Sequence, residues 1–401
     1  MFSGGDTNCP WDESDLEGRP VLPKQGGRCM LKQLKNTAEL SEEEKSLLAR
    51  VGYQGEESRA GTCVLVDQSV RCASVGDPGV EIMPLREALI QYDWVQDLMF
   101  GLVDPGESDH IKQAAEDVHD PVGHFVRVKA GAKVRLPVQT FSLIETPQGR
   151  QFLHNITVIE EDAEVDLISG AAVPSGVHSG HHISIEECYL REGAVCRSVS
   201  IEEWGADMQV HSYARTDLAR GAHSISNQIL MTPLKHHFSQ SRATLAEDAV
   251  CNDRTVIFAP AGSNRTMESE TLLKGKGARS ESLTRMVTAG GNVVNRALIV
   301  GEAPGTKGYL GCDGLKLTDE GEILSMPGVL AKTADAQLSH EASVGMISEE
   351  KMAYLMSTGM DEDAARDLIV QGFLNLKEQE LPPTVRMALE KMIAAARSGS
   401  M

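Results

Sequence analysis

The sequence predicts a mainly β protein: a parallel β-helix core with helical regions flanking it at both ends. Three observations point there. From Gly123 to about Leu330 the chain is written in short alternating runs, such as HFVRVKAG, NITVIEED, HHISIEEC and SLTRMVTAG. Within that stretch a Gly or acidic residue followed by Ala precedes a short strand six times, at Ala132, Ala163, Ala194, Ala222, Ala249 and Ala278. The intervals are 31, 31, 28, 27 and 29 residues, a near-constant period without helical spacing. Finally, aromatics are only 4% of the chain while Gly, Ser, Thr and Val abound, as in short strands joined by tight turns. A β-sandwich is the competing arrangement.

Each element follows from its local pattern. Residues 1–120 read as a mixed α/β region, 121–335 as the β-helix and 336–401 as a C-terminal helical domain. In the first region Ser41-Glu42-Glu43-Glu44 is a capping box opening a helix through Leu47, Leu48 and Val51, stopped by Gly52. Apolar spacing between Leu85 and Met99 predicts a second helix, and His110 to Val118 a short third. Near the end, Ser348 caps EEKMAYLMST, Gly359 ends it, and Asp361 caps a helix carrying Ala364, Leu368, Ile369 and Phe373 as one stripe. Pro382-Pro383 separates a last helix, TVRMALEKMIAAA.

If each motif Ala points inward, so does the residue two further on. That column reads Val134, Val165, Cys196, Ser224, Cys251, Ser280. It sets Cys196 and Cys251 in the interior two coils apart, about 10 Å at a strand spacing of ~4.8 Å.

Charge narrows the function classes. With 58 acidic against 38 basic residues the net charge is -20, which argues against nucleic acid as a partner. No charged-then-apolar leader pattern opens the sequence and no stretch approaches 18 apolar residues, so a cytoplasmic protein that does not enter the membrane is expected. The eight cysteines form no Cys-x-x-Cys pair, and any metal site must collect ligands from distant segments or from two chains. VHSGHH, with His178, His181 and His182, has the density of a metal motif but reads as strand or loop surface, as do His236 and His237. LLKGKGARS and GEAPGTKG lack the order of a phosphate-binding loop, so ATP chemistry would belong to a partner.

The sharpest local feature is GYLGCDGL, residues 308–315, followed by QLSHEASVGM, residues 337–346. His340 and Glu341 come 28 and 29 residues after Cys312, about one coil, so the three are expected side by side at the end of the solenoid. Thiolate, imidazole and carboxylate make a borderline-soft metal site, with Asp313 a lesser ligand candidate beside its expected place in a turn. A cluster commonly takes four ligands, which a two-fold related copy would complete.

Residues 309–373, running from YLGCDGLKLTDEGEILSMPG through SHEASVGM to YLMSTGMDEDAARDLIVQGF, resemble the SufB/SufD family, scaffold subunits of the Suf iron–sulfur cluster assembly machinery. Weaker similarity reaches back to about residue 120. The resemblance implies a right-handed β-helix that pairs through its C-terminal end and binds an ABC-type ATPase, SufC, through the C-terminal helices, where Tyr354, Leu368 and Phe373 lie. It implies that Cys312 receives sulfur as persulfide and ligates a transient iron–sulfur cluster, that Glu341 and His340 are ligand candidates, and that Cys196 and Cys251 border a sulfur path. A sulfur donor and apo-protein acceptors are the further partners implied. The SufB branch carries an acidic residue before His-Glu, where this chain has Ser339, and the SufD branch carries Ser-His-Gly. The mixed SHEA suggests a homodimer. A SufD-like structural subunit without its own cluster and a carbohydrate-active β-helix enzyme, such as a polyuronate lyase, are the alternatives.

Overall fold

Why a Gly or an acidic residue should precede each motif alanine is answered at the corners of the coils. In the computed structural model, which describes residues 33–116, 121–230 and 234–374, that residue turns the chain in the left-handed backbone region. Gly131, Gly193, Gly221 and Gly277 have φ between 65° and 73°, and Asp162 and Asp248 have φ of 55° and 54°. Only Gly, Asn and Asp enter that region at little cost, which is why the motif alternates between the two types. The next rung repeats the corner with Gly305 (φ 72°), and the buried Thr306 takes the alanine's place, its hydroxyl donating to Ala303 O at 3.0 Å.

Between corners the strands stack into two facing sheets. Sheet A runs β2 (Ser69–Val75), β1 (Gly61–Val66), β5 (Val138–Leu143), β7 (Glu164–Ala172) and β9 (Val195–Glu203). It continues with β11 (His223–Leu230), β13 (Val250–Pro260), β15 (Arg279–Ala289), β17 (Lys307–Lys316) and β19 (Gln337–Met346). Sheet B runs β3 (Val80–Pro84), β4 (His124–Val128), β6 (Arg150–Ile159), β8 (Ser179–Leu190) and β10 (Asp207–Leu218). It ends with β12 (His236–Leu245), β14 (Asn264–Leu273), β16 (Asn292–Gly301) and β18 (Glu322–Ala331). Among the described strands β1–β2 and β3–β4 pair antiparallel; the other neighbours pair parallel, two strand numbers apart except for β1 with β5, as a coiled chain requires. The expected β-helix is the fold.

Register confirms the inward column. Val165 pairs with Cys196, Cys196 with Ser224, Ser224 with Cys251 and Cys251 with Ser280. The ladder also runs beyond the limits expected for the β-helix. β1 joins it by pairing with β5, and β19 extends it to Met346, so the helical end starts only at Glu349.

Helices cover the outer faces. α1 (Glu42–Arg50) carries the expected capping box, and its Leu47 and Leu48 join Ile168, Val199 and Ile201 in one apolar cluster on sheet A. Arg50 holds Glu203 with two hydrogen bonds. The 85–99 stretch breaks at the extended Tyr92 into α2 (Leu85–Gln91) and α3 (Asp93–Gln96), which pack with Phe125, Ile156 and Val158 of sheet B. α4 (Asp109–Glu116) contributes Ile111 to a second sheet B cluster with Ile183, Ile185 and Tyr213. The loop before α4 is held by Glu187, whose buried carboxylate accepts from the backbone N–H of Phe100, Leu102 and Val103 and lies 2.7 Å from His154 Nε2.

At the C-terminal end, α5 (Glu349–Ser357) and α6 (Glu362–Leu374) form a pair. The face of α6 that packs is Ala365, Val370 and Leu374 with Ile369 and Phe373 partly covered, whereas Ala364 and Leu368 of the expected stripe are exposed. The TVRMALEKMIAAA segment, Cys9 and Cys29 lie outside the described residues. Among the described residues no helix is long and apolar enough to cross a membrane.

Candidate functional site

Cys312 sits one rung beneath the end of the solenoid. Along β17 the side chains of Leu310 and Cys312 turn inward, while Tyr309 and Asp313 turn outward, the two faces a strand must present. The thiol is 1% exposed and packs with Met286, Val293 and Ile257. Across the interior, Asn295 Nδ2 of β16 donates to its Sγ at 3.4 Å, and the Ser325 Oγ of β18 is buried without a hydrogen-bond partner of regular geometry. Burial pushes the thiol above its usual range, with the Ser325 and Asn295 groups opposing that rise. The resting group is therefore a thiol rather than a thiolate.

The neighbouring strand corrects the expected ligand set. Cys312 pairs with Ala342, an interval of 30 residues, and Glu341 pairs with Gly311. The extra length lies in the turn 317–321: Thr288 and Lys316 are 28 apart, whereas Asn292 and Glu322 beyond the turn are 30 apart. A one-residue offset reverses the face of a strand. Glu341 consequently points to the outer face, where Tyr309 Oη donates to its Oε2 at 3.2 Å, and does not meet Cys312. His340, paired with Leu310, shares the inner face with Cys312 as a diagonal neighbour. Asp313 also faces outward, within a strand rather than a turn, accepting from Ser343 Oγ at 2.5 Å and pairing with Arg285 at 3.1 Å. His340 and Glu341 are both exposed on the last rung.

Behind Cys312 the interior is polar. Glu186, Cys188, Ser224, Ser226 and Asp253 point inward by register. Cys196 and Cys251 are buried there, two rungs apart as expected. Cys188, across on β8, turns inward as well and lies near enough to both to add to the cost of ionising either thiol; the alternation of HHISIEEC is the signal that marks it as inward. Burial raises Cys188 to about 12 and pushes Cys196 and Cys251 well up. Cys251 Sγ donates to Asp253 Oδ2 at 3.3 Å, and burial holds that carboxyl above its ordinary range. By register Cys251 aligns with Gly308, so about 16 Å separates it from Cys312 at ordinary strand spacings.

Over residues 142–373, more than half its length, the chain matches the family described as SUF system FeS cluster assembly, SufBD core domain. It is 33% identical to an iron–sulfur cluster assembly SufBD family protein of Archaeoglobus fulgidus, covering 88% of this chain and 95% of that one. The chain belongs to the SufBD family. A SufBD family protein of Methanothermobacter thermautotrophicus is 31% identical over 96% of this chain and 95% of its own. The iron–sulfur cluster assembly protein SufB of Bacillus subtilis is 24% identical over 70% of this chain and 61% of its own length.

As a SufBD protein the chain is an iron–sulfur cluster assembly protein. Two surfaces of this SufBD chain are unusually apolar for their exposure. The last rung shows Leu324, Met326, Leu330, Val344 and Met346 at 39–52% exposure, on strands whose far edges have no partner among the described residues. The helical pair shows Tyr354 at 69% and Leu368 at 43%, while Phe373 is turned onto the solenoid, its ring 5.3 Å from the Arg285 guanidinium.

Proposed function

We propose that this chain is a scaffold on which a nascent iron–sulfur cluster is built at the last rung, between two copies of the chain, and handed on under the drive of an ABC-type ATPase, SufC. The observation that carries the reading is the composition of that rung. A shielded thiol, Cys312, lies directly beneath an unpaired edge that carries exposed His340 and Glu341 among five exposed apolar side chains. Unpaired strand edges invite another strand or chain, and a second copy would cover the apolar surface and bring a second set of ligands.

In this mechanism iron and sulfur are cargo. A donor persulfide presents its outer sulfur; the Cys312 thiolate attacks it, the donor thiolate leaves, and Cys312 becomes the persulfide. Burial keeps Cys312 protonated until the last rung opens, and the Asn295 amide lies in position to steady the sulfur anion. His340 on the inner side and Glu341 on the outer side would hold iron from opposite faces of one strand, so opening or shifting β19 is part of the reaction. Cys251, with Asp253 to take its proton, together with Cys188 and Cys196 would form the lumen route for sulfur. Tyr354 and Leu368 on the exposed side of the helical pair are the docking candidates for the ATPase, and Phe373 would act through its packing on Arg285.

A structural subunit without its own cluster is the second reading, favoured by the placement of Cys312 and Glu341 on opposite faces. The visible spectrum of protein purified without oxygen together with the ATPase separates the two. Broad absorbance near 420 nm (about where sulfur-to-iron charge transfer falls for such clusters) supports the scaffold; a colourless complex supports the structural subunit.

A further inference from the structure

Three histidines that are scattered in sequence meet on the outer face of sheet B. His181 of β8 and His211 of β10 are diagonal neighbours on adjacent strands, since His181 pairs with Gln209 and His211 with Ile183. Their ring nitrogens, His181 Nε2 and His211 Nδ1, stand 3.1 Å apart. α4 lies over them and brings His110, whose ring centroid is 3.9 Å from that of His211 and 5.8 Å from that of His181. One ring nitrogen of each lies within 4.8 Å of the others, and among the described residues no other three His, Cys, Asp or Glu side chains gather so closely. All three are half-buried, which leaves a path to solvent.

We infer that His110, His181 and His211 form a binding site for a borderline divalent cation, Zn2+ or Fe2+, that ties α4 to the solenoid. Three imidazoles plus one open position is the donor set of such ions rather than of Ca2+ or Mg2+. Tetrahedral coordination at ~2.05 Å places ligand nitrogens about 3.3 Å apart, close to the separation His181 and His211 already have. His110 needs only a small closing movement of α4, which carries it over the pair.

The surroundings fit the same conclusion. Tyr213 Oη lies 3.3 Å from His110 Nδ1 and accepts from Ser108 Oγ at 3.2 Å, fixing the ring as outer partners of metal ligands do.

The site is independent of the scaffold role. β10 is four strands from β18 in sheet B, about 19 Å from the last rung at ordinary spacing. The test uses the full chain stripped of metal with chelator and titrated with Co2+ as an optical probe. The expected result is one Co2+ per chain with intense tetrahedral visible bands and no sulfur charge-transfer band. His110→Gln, His181→Gln and His211→Gln should each weaken binding about 100-fold, and Cys312→Ser should leave it unchanged. Zn2+ should raise the melting temperature of the wild type and not that of His110→Gln, the variant least tied to the sheet. Competition against Zn2+ and, without oxygen, against Fe2+ then ranks the two ions. Absence of stoichiometric Co2+ binding, or binding retained in all three histidine variants, would overturn the inference.

Discussion

The middle rungs and the last rung are built from the same strands and turns but end in opposite states. In the middle, each strand has a neighbour on both sides and the inward column of sheet A is covered at Val165 and Cys196, which are 0% and 4% exposed. On the last rung, β18 and β19 have a neighbour on one side only among the described residues, and Val344 and Met346, inward by alternation, are 47% and 52% exposed. A coil of a solenoid buries its faces only against its neighbours. The comparison teaches that the rung carrying Cys312's exposed neighbours is where the described fold leaves apolar strand faces open, the surface that a second copy would cover in the proposed scaffold.

The comparison breaks most sharply under charge. Val165→Asp should cost about 4 kcal/mol or more, because it leaves an unpaired carboxylate in a closed rung, whereas Ala342→Asp on the last rung should cost under ~1 kcal/mol. Equilibrium denaturation of the two variants measures the contrast.

A native acid inside the middle rungs gives the next largest effect. Burial raises Glu186 from 4.5 to about 7, against the Asn155 amide that donates to it at 2.5 Å. Its carboxyl is protonated in both states below about pH 4.5, so no penalty exists there. As pH rises toward 7 the unfolded chain loses this proton first, and stability falls by up to ~3 kcal/mol. Glu186→Gln should remove that part of the slope in melts recorded from pH 4.5 to 7.5.

Smaller effects come from the corners and from the exposed end. Gly193→Ala, at φ 66° with the new Cβ 2.3 Å from Asp162 Oδ1, should cost about 1–2 kcal/mol, while Asp162→Gly should stay within ~0.5 kcal/mol. Val344→Asp combined with Met346→Asp should change the stability of the single chain by less than ~0.5 kcal/mol yet abolish dimers in light scattering with the ATPase present.

The middle of the molecule was legible in the sequence because its period is carried by the corner motif. Each Gly-Ala or Asp-Ala pair marks a backbone conformation that few residues can adopt, so Cys196 and Cys251 could be placed in one column from spacing alone. The end was less legible because turn 317–321 adds two residues without any motif to announce them, which moves His340 from directly opposite Cys312 to a diagonal place, while Glu341, one residue on, faces outward in either register. Cys188 was missed because sheet B has no corner motif to set its register. The His110, His181 and His211 cluster was missed because 71 residues separate His110 from His181, and only the packing of α4 joins them.

The account rests on Cys312 being the thiol on which the cluster is built. The most direct measurement is iron and acid-labile sulfide per chain after reconstitution without oxygen, compared between the wild type and Cys312→Ser with their folding matched by circular dichroism. Loss of both iron and sulfide in Cys312→Ser, with the β signal and melting temperature kept, is the predicted result. A Cys312→Ser protein that carries as much iron and sulfide as the wild type would contradict it.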